Sequence, residues 1–262
     1  MKNQSQKEDV NKFESIFIEH WDEFKNTHPL YDCDQYDIPV QKMLGCGSDS
    51  NGYCEYSCMH CGKDKRRIAF TCKCCFCLSC AKVYVDNFVN QVSNNLHPGL
   101  VYRHIVLTLP EQLRIYFYQY RHNDSLLSEL MRTGHRCLED VVKIVKRQAL
   151  KIGTIVVVQT HGRSGNYNPH LHIIMTNGGI NETKGSWLDL GYFPYEIIHK
   201  KWQYHLFGMM KKEIKSIEMN TLINELWNKY PKGLVAHVQR GNVPGGIKGL
   251  AKYLPSMWLL LQ

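Results

Sequence analysis

Nine of the 11 cysteines in this 262-residue chain lie between positions 46 and 80, and this cluster constrains the fold more than any other feature. Two C-x2-C pairs, Cys58 with Cys61 and Cys77 with Cys80, are separated by a spacing typical of two-knuckle zinc sites. Each such turn directs two thiolates inward, so two turns complete a tetrahedral set of four ligands. The pattern predicts a structural zinc ion that staples a small module.

The other cysteines of the cluster leave a second metal site open. Cys46 and Cys72 are the preferred ligands of a second zinc ion, and the alternative is that the remaining thiols are buried apolar fillers. The sequence contains no apolar signal core and no run long enough to span a bilayer, so we expect a cytoplasmic protein without a membrane partner. In a reducing cytoplasm, clustered cysteines favour metal binding over disulfides.

A second feature is the stretch NPHLHIIMTNGG, residues 168–179, in which His170 and His172 stand two residues apart in an apolar run. Side chains at i and i+2 of a strand point to the same face, so the imidazoles would lie side by side. A hairpin with the preceding strand would place Gln159 beside His170 as an oxygen ligand. Two imidazoles and an amide oxygen suit Mg²⁺ or Mn²⁺ acting on a phosphate. The alternative for the two histidines alone is a hydrogen-bonded pair without a metal.

The rest of the chain alternates helical and strand patterns. Apolar spacing predicts a helix over 10–25 and another over about 80–95. A long helical stretch over 111–150 is expected to break near Gly134, and 194–229 is expected to be mostly helical. The predicted strands are 100 to Pro110, 153–160 (expected at the centre of the sheet), the histidine strand and 234–240.

These elements predict an α+β chain in two parts. Residues 1–95 would form an N-terminal helix and a zinc-binding module, and residues 96–262 an antiparallel sheet flanked by helices. The boundary falls where the cysteine cluster ends and the alternation of strands and helices begins.

The charge balance favours a polyanionic partner. With 32 Lys and Arg against 24 Asp and Glu, the formal net charge is +8, which is moderate support for nucleic acid. Arg163, Lys248 and Lys252 are candidate phosphate contacts, although each could be a solvated charge. Lys248 and Lys252 are four apart on a predicted helix and would share a face near Tyr253. A tyrosine phenolate is a competent nucleophile, but with 15 tyrosines any one is more often a packing residue.

Taken together, these residues resemble the HUH, two-tyrosine type of bacterial insertion-sequence transposases, the rolling-circle class related to helitrons. The resemblance implies an N-terminal zinc domain that binds DNA and a nuclease domain in which His170 and His172 bind a divalent metal. It implies that Tyr253 cleaves single-stranded DNA through a 5′-phosphotyrosine, and it places Gln159 where a third metal ligand is expected. A protein of this kind would work at the nucleoid. The matching segments are CG (46–47), YSCMHCG (56–62), FTCKCCFCLSC (70–80), YRHIVLTLPEQLR (102–114), VVQTHG (157–162), NPHLHIIMTNGG (168–179) and GGIKGLAKYL (245–254).

The last residues depart from this family pattern, which continues to a second tyrosine four residues after the first. Here that position is Met257, and Pro255 falls early in the predicted helix. One permitted back-translation of PSMWLLLQ, read in another frame, gives KYVASPP, with a tyrosine at the position of Met257. We therefore expect that a one-nucleotide deletion shifted the reading frame after Leu254, so that the metal ligands are kept while transposition is lost. The alternative is a natural short tail with an apolar end.

Two other functions stay open at this point. The chain could be a zinc-dependent DNA-binding protein without catalysis, in which His170 and His172 are structural; a metal-dependent reaction at Tyr253 would distinguish the two. A metallohydrolase without nucleic acid is not excluded by the net charge. However, the sequence has no HExxH motif and no DxD-type carboxylate cluster in a plausible site, and these motifs would be expected of such an enzyme.

Overall fold

The computed structural model of the chain describes residues 4–63, 65–74, 76–120, 124–162 and 166–239. The chain forms two compact units, divided between Asn90 and Gln91. Helices and antiparallel strands occur in both, which confirms the predicted α+β class. None of the described helices has the length and apolar character that crossing a bilayer requires.

The first unit contains two helices, a two-stranded hairpin and the start of a third helix. Its small core forms where Phe13, Phe17 and Trp21, at the helical spacing predicted for 10–25, meet the buried Val40 and Met43. The Trp21 indole N–H also donates to Asp37 at 2.8 Å, which ties the first helix to the second. The elements are α1 (Gln4–Thr27), α2 (Asp34–Leu44), β1 (Tyr53–Ser57), β2 (Lys65–Ala69) and α3 (Leu78–Asn95), the last containing the division.

The second unit is built around one antiparallel sheet. In the described residues the strand order is β4-β5-β3-β7, and β6 pairs with the far end of β5. Each strand pair is antiparallel. The elements are β3 (Tyr102–Thr108), α4 (Glu111–Gln119), α5 (Asp124–Lys146), β4 (Lys151–His161), β5 (Tyr167–Asn181), β6 (Ser186–Asp189), α6 (Tyr195–Glu213), α7 (Ile217–Lys229) and β7 (Ala236–Val238).

The two faces of this sheet differ in chemistry. Leu171, Ile173 and Met175 of β5 alternate onto one face, where they join the main hydrophobic core with residues of α5, α6 and α7. His170 and His172 alternate onto the opposite face of the same strand. We call that opposite face the imidazole face. The described helices α5, α6 and α7 therefore pack on one face, and the buried histidines lie on the other.

Two expectations about these elements are corrected. Helix α5 runs through Gly134 without a break. A Cβ at that position would lie 2.5 Å from a methyl carbon of Leu171, which explains why the residue is glycine. The glycine allows the helix to approach the sheet closely. The strand β4, which we expected at the centre, pairs only with β5 among the described strands, and β5 takes the central place.

Candidate functional site

Four cysteines of the first unit form a group that we call the cysteine tetrad: Cys46, Cys72, Cys77 and Cys80. One ligand atom from each lies within 4.8 Å of all the others. The sulfur of Cys80 is 3.6 Å from that of Cys46 and 3.5 Å from that of Cys72. Zinc–thiolate bonds of about 2.3 Å in a tetrahedron separate the sulfurs by about 3.8 Å. The tetrad therefore has the donor set and nearly the spacing that one Zn²⁺ ion requires.

This grouping differs from the predicted one, which combined Cys58 and Cys61 with Cys77 and Cys80. The hairpin explains the difference, since Cys58 and Cys61 lie in the connection between β1 and β2, at its tip. Cys46 and Cys72 flank the other end, where Gly47 N–H donates to the Phe70 carbonyl. Five residue pairs separate the two ends of this ladder, roughly 15 Å at strand spacing. A single ion cannot bridge that distance.

Burial controls the charge of the tetrad. It raises the pKa of Cys72 and raises the pKa of Cys77 to about 11, so these two thiols keep their protons when no cation is near. Burial acts in the same direction on Cys80, but hydrogen bonds from the Cys72 and Cys46 thiols outweigh it and lower the pKa of Cys80. Cys80 is therefore where the first thiolate forms, and the others become thiolates as a metal ion displaces their protons.

Cys58 and Cys61 form a separate pair at the tip of the hairpin. Backbone N–H groups of Cys61 and His60 point at the Cys58 sulfur and lower the pKa of that thiol. This is the turn geometry expected of a zinc knuckle. Among the described residues, however, no group of three or more potential ligands includes either cysteine. The pair offers half of a metal site.

The imidazole face is set by the register of three strands. His170 lies opposite Gln159 of β4 on one side and Thr108 of β3 on the other. His172 lies opposite Val157 and Val106, one layer further along the strand. Since residues paired across strands project to the same face, the register places Gln159 directly beside His170, as the predicted hairpin requires. All three polar side chains are buried.

A third histidine, His104 of β3, extends this face. Its Nε2 lies 2.9 Å from Nδ1 of His172, and the two rings stack with centroids 5.1 Å apart. When His172 donates this hydrogen bond from Nδ1, its Nε2 carries the lone pair that a metal ion requires. His170 has the same tautomer, because its Nδ1 bonds to the Asn168 carbonyl at 2.7 Å. Hydrogen bonds from the second ring nitrogen are what orient metal-binding histidines in proteins.

The three imidazoles are neutral near pH 7. Burial is the main cause, lowering the pKa of His172 to about 3 and the pKa of His104 to about 4. Burial also lowers the pKa of His170, and the positive charge of Arg114 on α4 adds to this effect. Neutral imidazole is the form that binds metal ions. The donor set of His170, His172 and Gln159 thus fits a divalent cation with open coordination positions.

Each unit of the chain contains a segment that matches a family model of transposase domains. A family model described as a transposase zinc-binding domain matches residues 16–109, and one described as a putative transposase matches residues 153–241. Both units are therefore similar to domains of transposases. The matched segments contain the cysteine tetrad, most of β4 and all of β5.

Two curated relatives share this resemblance. The transposase for insertion sequence element IS801 of Pseudomonas savastanoi pv. phaseolicola is 34% identical over 167 residues, which cover 63% of this chain and 38% of the relative. The putative transposase y4qJ of Sinorhizobium fredii (strain NBRC 101917 / NGR234) is 28% identical over 175 residues, 66% of this chain and 42% of the relative. The chain thus spans about two fifths of the length of these relatives. No solved structure matches it.

Several predicted site residues lie outside the described residues. They are Tyr253, Arg163, Lys248 and Lys252. Tyr167, which we considered as a base-stacking residue, is half-buried and packs at ring distances of 5.3 Å from Tyr118 and 5.5 Å from His161. This environment favours packing over stacking on a base.

Two residues at or near the imidazole face were not predicted from the sequence. His104 lies in the alternating strand pattern YRHIVLT, which fixes the side of its own strand on which it lies but not the strand with which it pairs. Arg114 is the other, a cation close enough to influence the His170 pKa. Its buried Nε has no hydrogen-bond partner among the described residues. No local sequence pattern marks an arginine on a helix as facing a strand terminus.

Proposed function

We propose that this chain is a DNA strand transferase that cleaves and rejoins single-stranded DNA through a 5′-phosphotyrosine at Tyr253. The observation that supports this most strongly is the imidazole face, where Gln159 lies directly opposite His170 and His172 follows on the same side. His170, His172 and Gln159 would hold Mg²⁺ or Mn²⁺, which when bound polarises the scissile phosphate. The similarity to transposases makes DNA the natural substrate.

The reaction assigned to Tyr253 is a phosphoryl transfer. Its phenol oxygen forms a bond to phosphorus and loses its proton, while the bond from phosphorus to the 3′ oxygen breaks and that oxygen takes up a proton. The products are a 5′-phosphotyrosine and a free 3′-hydroxyl. Rejoining is the reverse attack by a 3′-hydroxyl, so no oxidant or energy source is consumed.

The remaining residues of the site would position the DNA. His104 holds the His172 ring through the 2.9 Å hydrogen bond, and Arg114 supplies a positive charge beside His170. Arg163, Lys248 and Lys252 are proposed as phosphate contacts, and the cysteine tetrad as the structural zinc site of a DNA-binding unit. Cys58 and Cys61 are proposed to bind a second zinc ion. A protein that acts on chromosomal DNA would be found at the nucleoid.

A covalent-adduct assay tests this proposal. The protein is mixed with Mn²⁺ and labelled single-stranded oligonucleotides tiled across both flanks of its gene, then separated on a denaturing gel. We expect a shifted band that requires the metal and disappears in Tyr253→Phe and in His172→Gln. Tyr192→Phe, a change at an exposed tyrosine away from the imidazole face, is the matched control and keeps the band.

The second candidate is a zinc-dependent DNA-binding protein without catalysis. It is favoured by one observation, the cysteine tetrad beside a hairpin whose strands are almost wholly exposed and include Lys65, Arg66 and Arg67. If the wild type binds DNA but forms no adduct with any oligonucleotide, this second function replaces the first. An adduct that persists in Tyr253→Phe would instead move the nucleophile to another residue.

A further inference from the structure

Two neighbouring cavities lie on the surface of the helices α6 and α7 in the second unit. Their volumes are about 470 Å³ and about 490 Å³, and both are lined by Tyr204 and Trp227. Tyr204 is 61% exposed and Trp227 is 40% exposed. Phe207 holds the indole by an edge contact, with ring centroids 5.2 Å apart. We call the two cavities with these two shared rings the aromatic groove.

The charge around the aromatic groove is positive. Lys211 and Lys212 line the first cavity, and Lys200 and Lys201 line the second. From residue 195 to 232 the chain has more lysines than acidic residues. The groove therefore offers cations at both ends and aromatic rings between them.

The acidic groups of α5 that face these helices are already paired. Glu129 accepts hydrogen bonds from Arg136 at 2.6 Å and from Arg132 at 3.3 Å. Asp140 accepts from Lys201 at 3.2 Å and bonds to His205 at 3.0 Å. Since these carboxylates are neutralised by their own neighbours, they do not compete for Lys200. Lys211 donates to the Asn224 amide oxygen at 3.4 Å, and Lys212 has an exposed ion pair with Glu213 at 3.8 Å; an anion can replace both contacts.

A buried amide adds a directional group to the second cavity. Gln203 lines that cavity and is 2% exposed. Its Nε2 is buried and has no hydrogen-bond partner within the described part of the chain. A buried donor without a partner is destabilising, so such groups are normally satisfied. An acceptor atom on a seated ligand would satisfy this one.

We propose that the aromatic groove is a second binding site for single-stranded DNA, separate from the imidazole face. One base would stack in each cavity against Tyr204 or Trp227, and lysines at both ends would contact the phosphates. The amide of Gln203 would donate to an acceptor on one base edge. Single-stranded nucleic acid fits because its bases present open faces to the rings, which duplex DNA keeps stacked. The choice of DNA rests on the proposed function.

Crosslinking maps the site directly. The full chain is incubated without added Mn²⁺ with a fluorescent single-stranded oligonucleotide that carries 5-iododeoxyuridine, irradiated, digested and analysed by mass spectrometry. We expect crosslinked peptides that contain Tyr204 or Trp227. Crosslinks found only outside residues 195–232 would overturn the proposal, whatever the zinc unit binds.

Affinity measurements on variants give an independent test. By fluorescence anisotropy, Tyr204→Ala is expected to weaken binding about tenfold, because it removes one stacked base. Tyr192→Ala, which removes a 76% exposed tyrosine outside both cavities, leaves affinity unchanged. Lys200→Glu and Lys212→Glu each reduce the slope of log affinity against log salt by about 0.7. Gln203→Leu weakens binding severalfold, and the loss is largest for oligonucleotides of the base that accepts from the amide.

The outcomes separate this proposal from the proposed function. Adduct formation together with unchanged affinity in the groove variants would reject the groove and leave the strand transferase standing. Groove-dependent binding without any adduct would support the groove and reject the strand transferase. If Tyr204→Ala instead abolishes self-association and crosslinks lie elsewhere, the groove is occupied by a second copy of the chain, and the DNA proposal is wrong.

Discussion

The sharpest prediction concerns which cysteines share the zinc ion. We expect Cys72→Ser to remove the metal from the cysteine tetrad and to unfold the first unit, whereas Cys58→Ser leaves both in place. The two substitutions are chemically identical and both residues are half-buried. They differ in position, since Cys72 is beside Cys46 at the base of the hairpin and Cys58 is at its tip.

The expected size of the effect follows from the core of this unit. Among the described residues, its buried cluster contains Val40 and Met43 in addition to two tetrad cysteines, and the partly buried Phe13, Phe17 and Trp21 pack against it. Burying two such side chains stabilises by about 1.5–3 kcal/mol each. A structural zinc ion contributes about 10–16 kcal/mol in small zinc-dependent peptides. The ion therefore stabilises this unit more than Val40 and Met43 together do, and losing one of the four ligands should leave the unit largely unfolded at room temperature.

The assay is zinc content per chain by mass spectrometry, read together with protection of the first unit from limited proteolysis. Cys33→Ser, a change at an exposed cysteine outside the cluster, is the matched control. The reasoning is refuted if Cys58→Ser loses zinc and protection while Cys46→Ser and Cys72→Ser keep both. In that case the ligands are the two C-x2-C pairs, and the tetrad is a buried thiol cluster. A second ion at the tip would show as partial zinc loss in Cys58→Ser without loss of protection.

Three further predictions test the second unit. His104→Phe keeps a ring beside His172 but removes its hydrogen-bond partner, so Mn²⁺ affinity measured by calorimetry should fall about 10- to 100-fold; an unchanged affinity would assign His104 to packing. Gly134→Ala should lower the free energy of unfolding in urea by about 1–3 kcal/mol, because the added methyl meets Leu171. In the metal-free protein, His104 and His172 bind protons in the unfolded state below pH 6.5 but in the folded state only near pH 4 and below. Unfolding free energy should therefore be highest above pH 6.5 and fall as the pH is lowered towards 4, by up to about 1.4 kcal/mol per pH unit for each histidine; a flat urea-stability profile over this range would contradict their burial as neutral groups.

Local patterns in the sequence predicted the elements well, because they depend on spacing within one segment. Helical spacing of Phe13, Phe17 and Trp21 identified α1, and two-residue spacing put His170 and His172 on one face. The hairpin expectation placed Gln159 beside His170, where the register has it. Each of these inferences needed only neighbouring residues and the geometry of a regular element.

Long-range contacts were not predictable in the same way. The two C-x2-C pairs show that turns exist but not which turns meet, and the length of the intervening hairpin separates them. Gly134 was expected to break the helix. The contact that requires a glycine there is with Leu171, which is far along the chain. His104 joins the imidazole face through a strand pairing with the distant β5. In each case the missing information was a tertiary contact.

The two proposed DNA surfaces of the second unit lie on opposite sides of its sheet. Helix α5 packs through Gly134 onto the face of Leu171 and Ile173, and Trp202 of α6 donates to the Thr108 carbonyl at the end of β3. The imidazole face points the other way. A strand that reaches both must pass the thickness of a sheet and a helical layer, about 20 Å. An oligonucleotide of only a few bases can then occupy one surface or the other, but not both. Cleavage should therefore improve sharply once the strand is long enough to bridge them, and Tyr204→Ala should remove that gain without affecting cleavage of the short substrates.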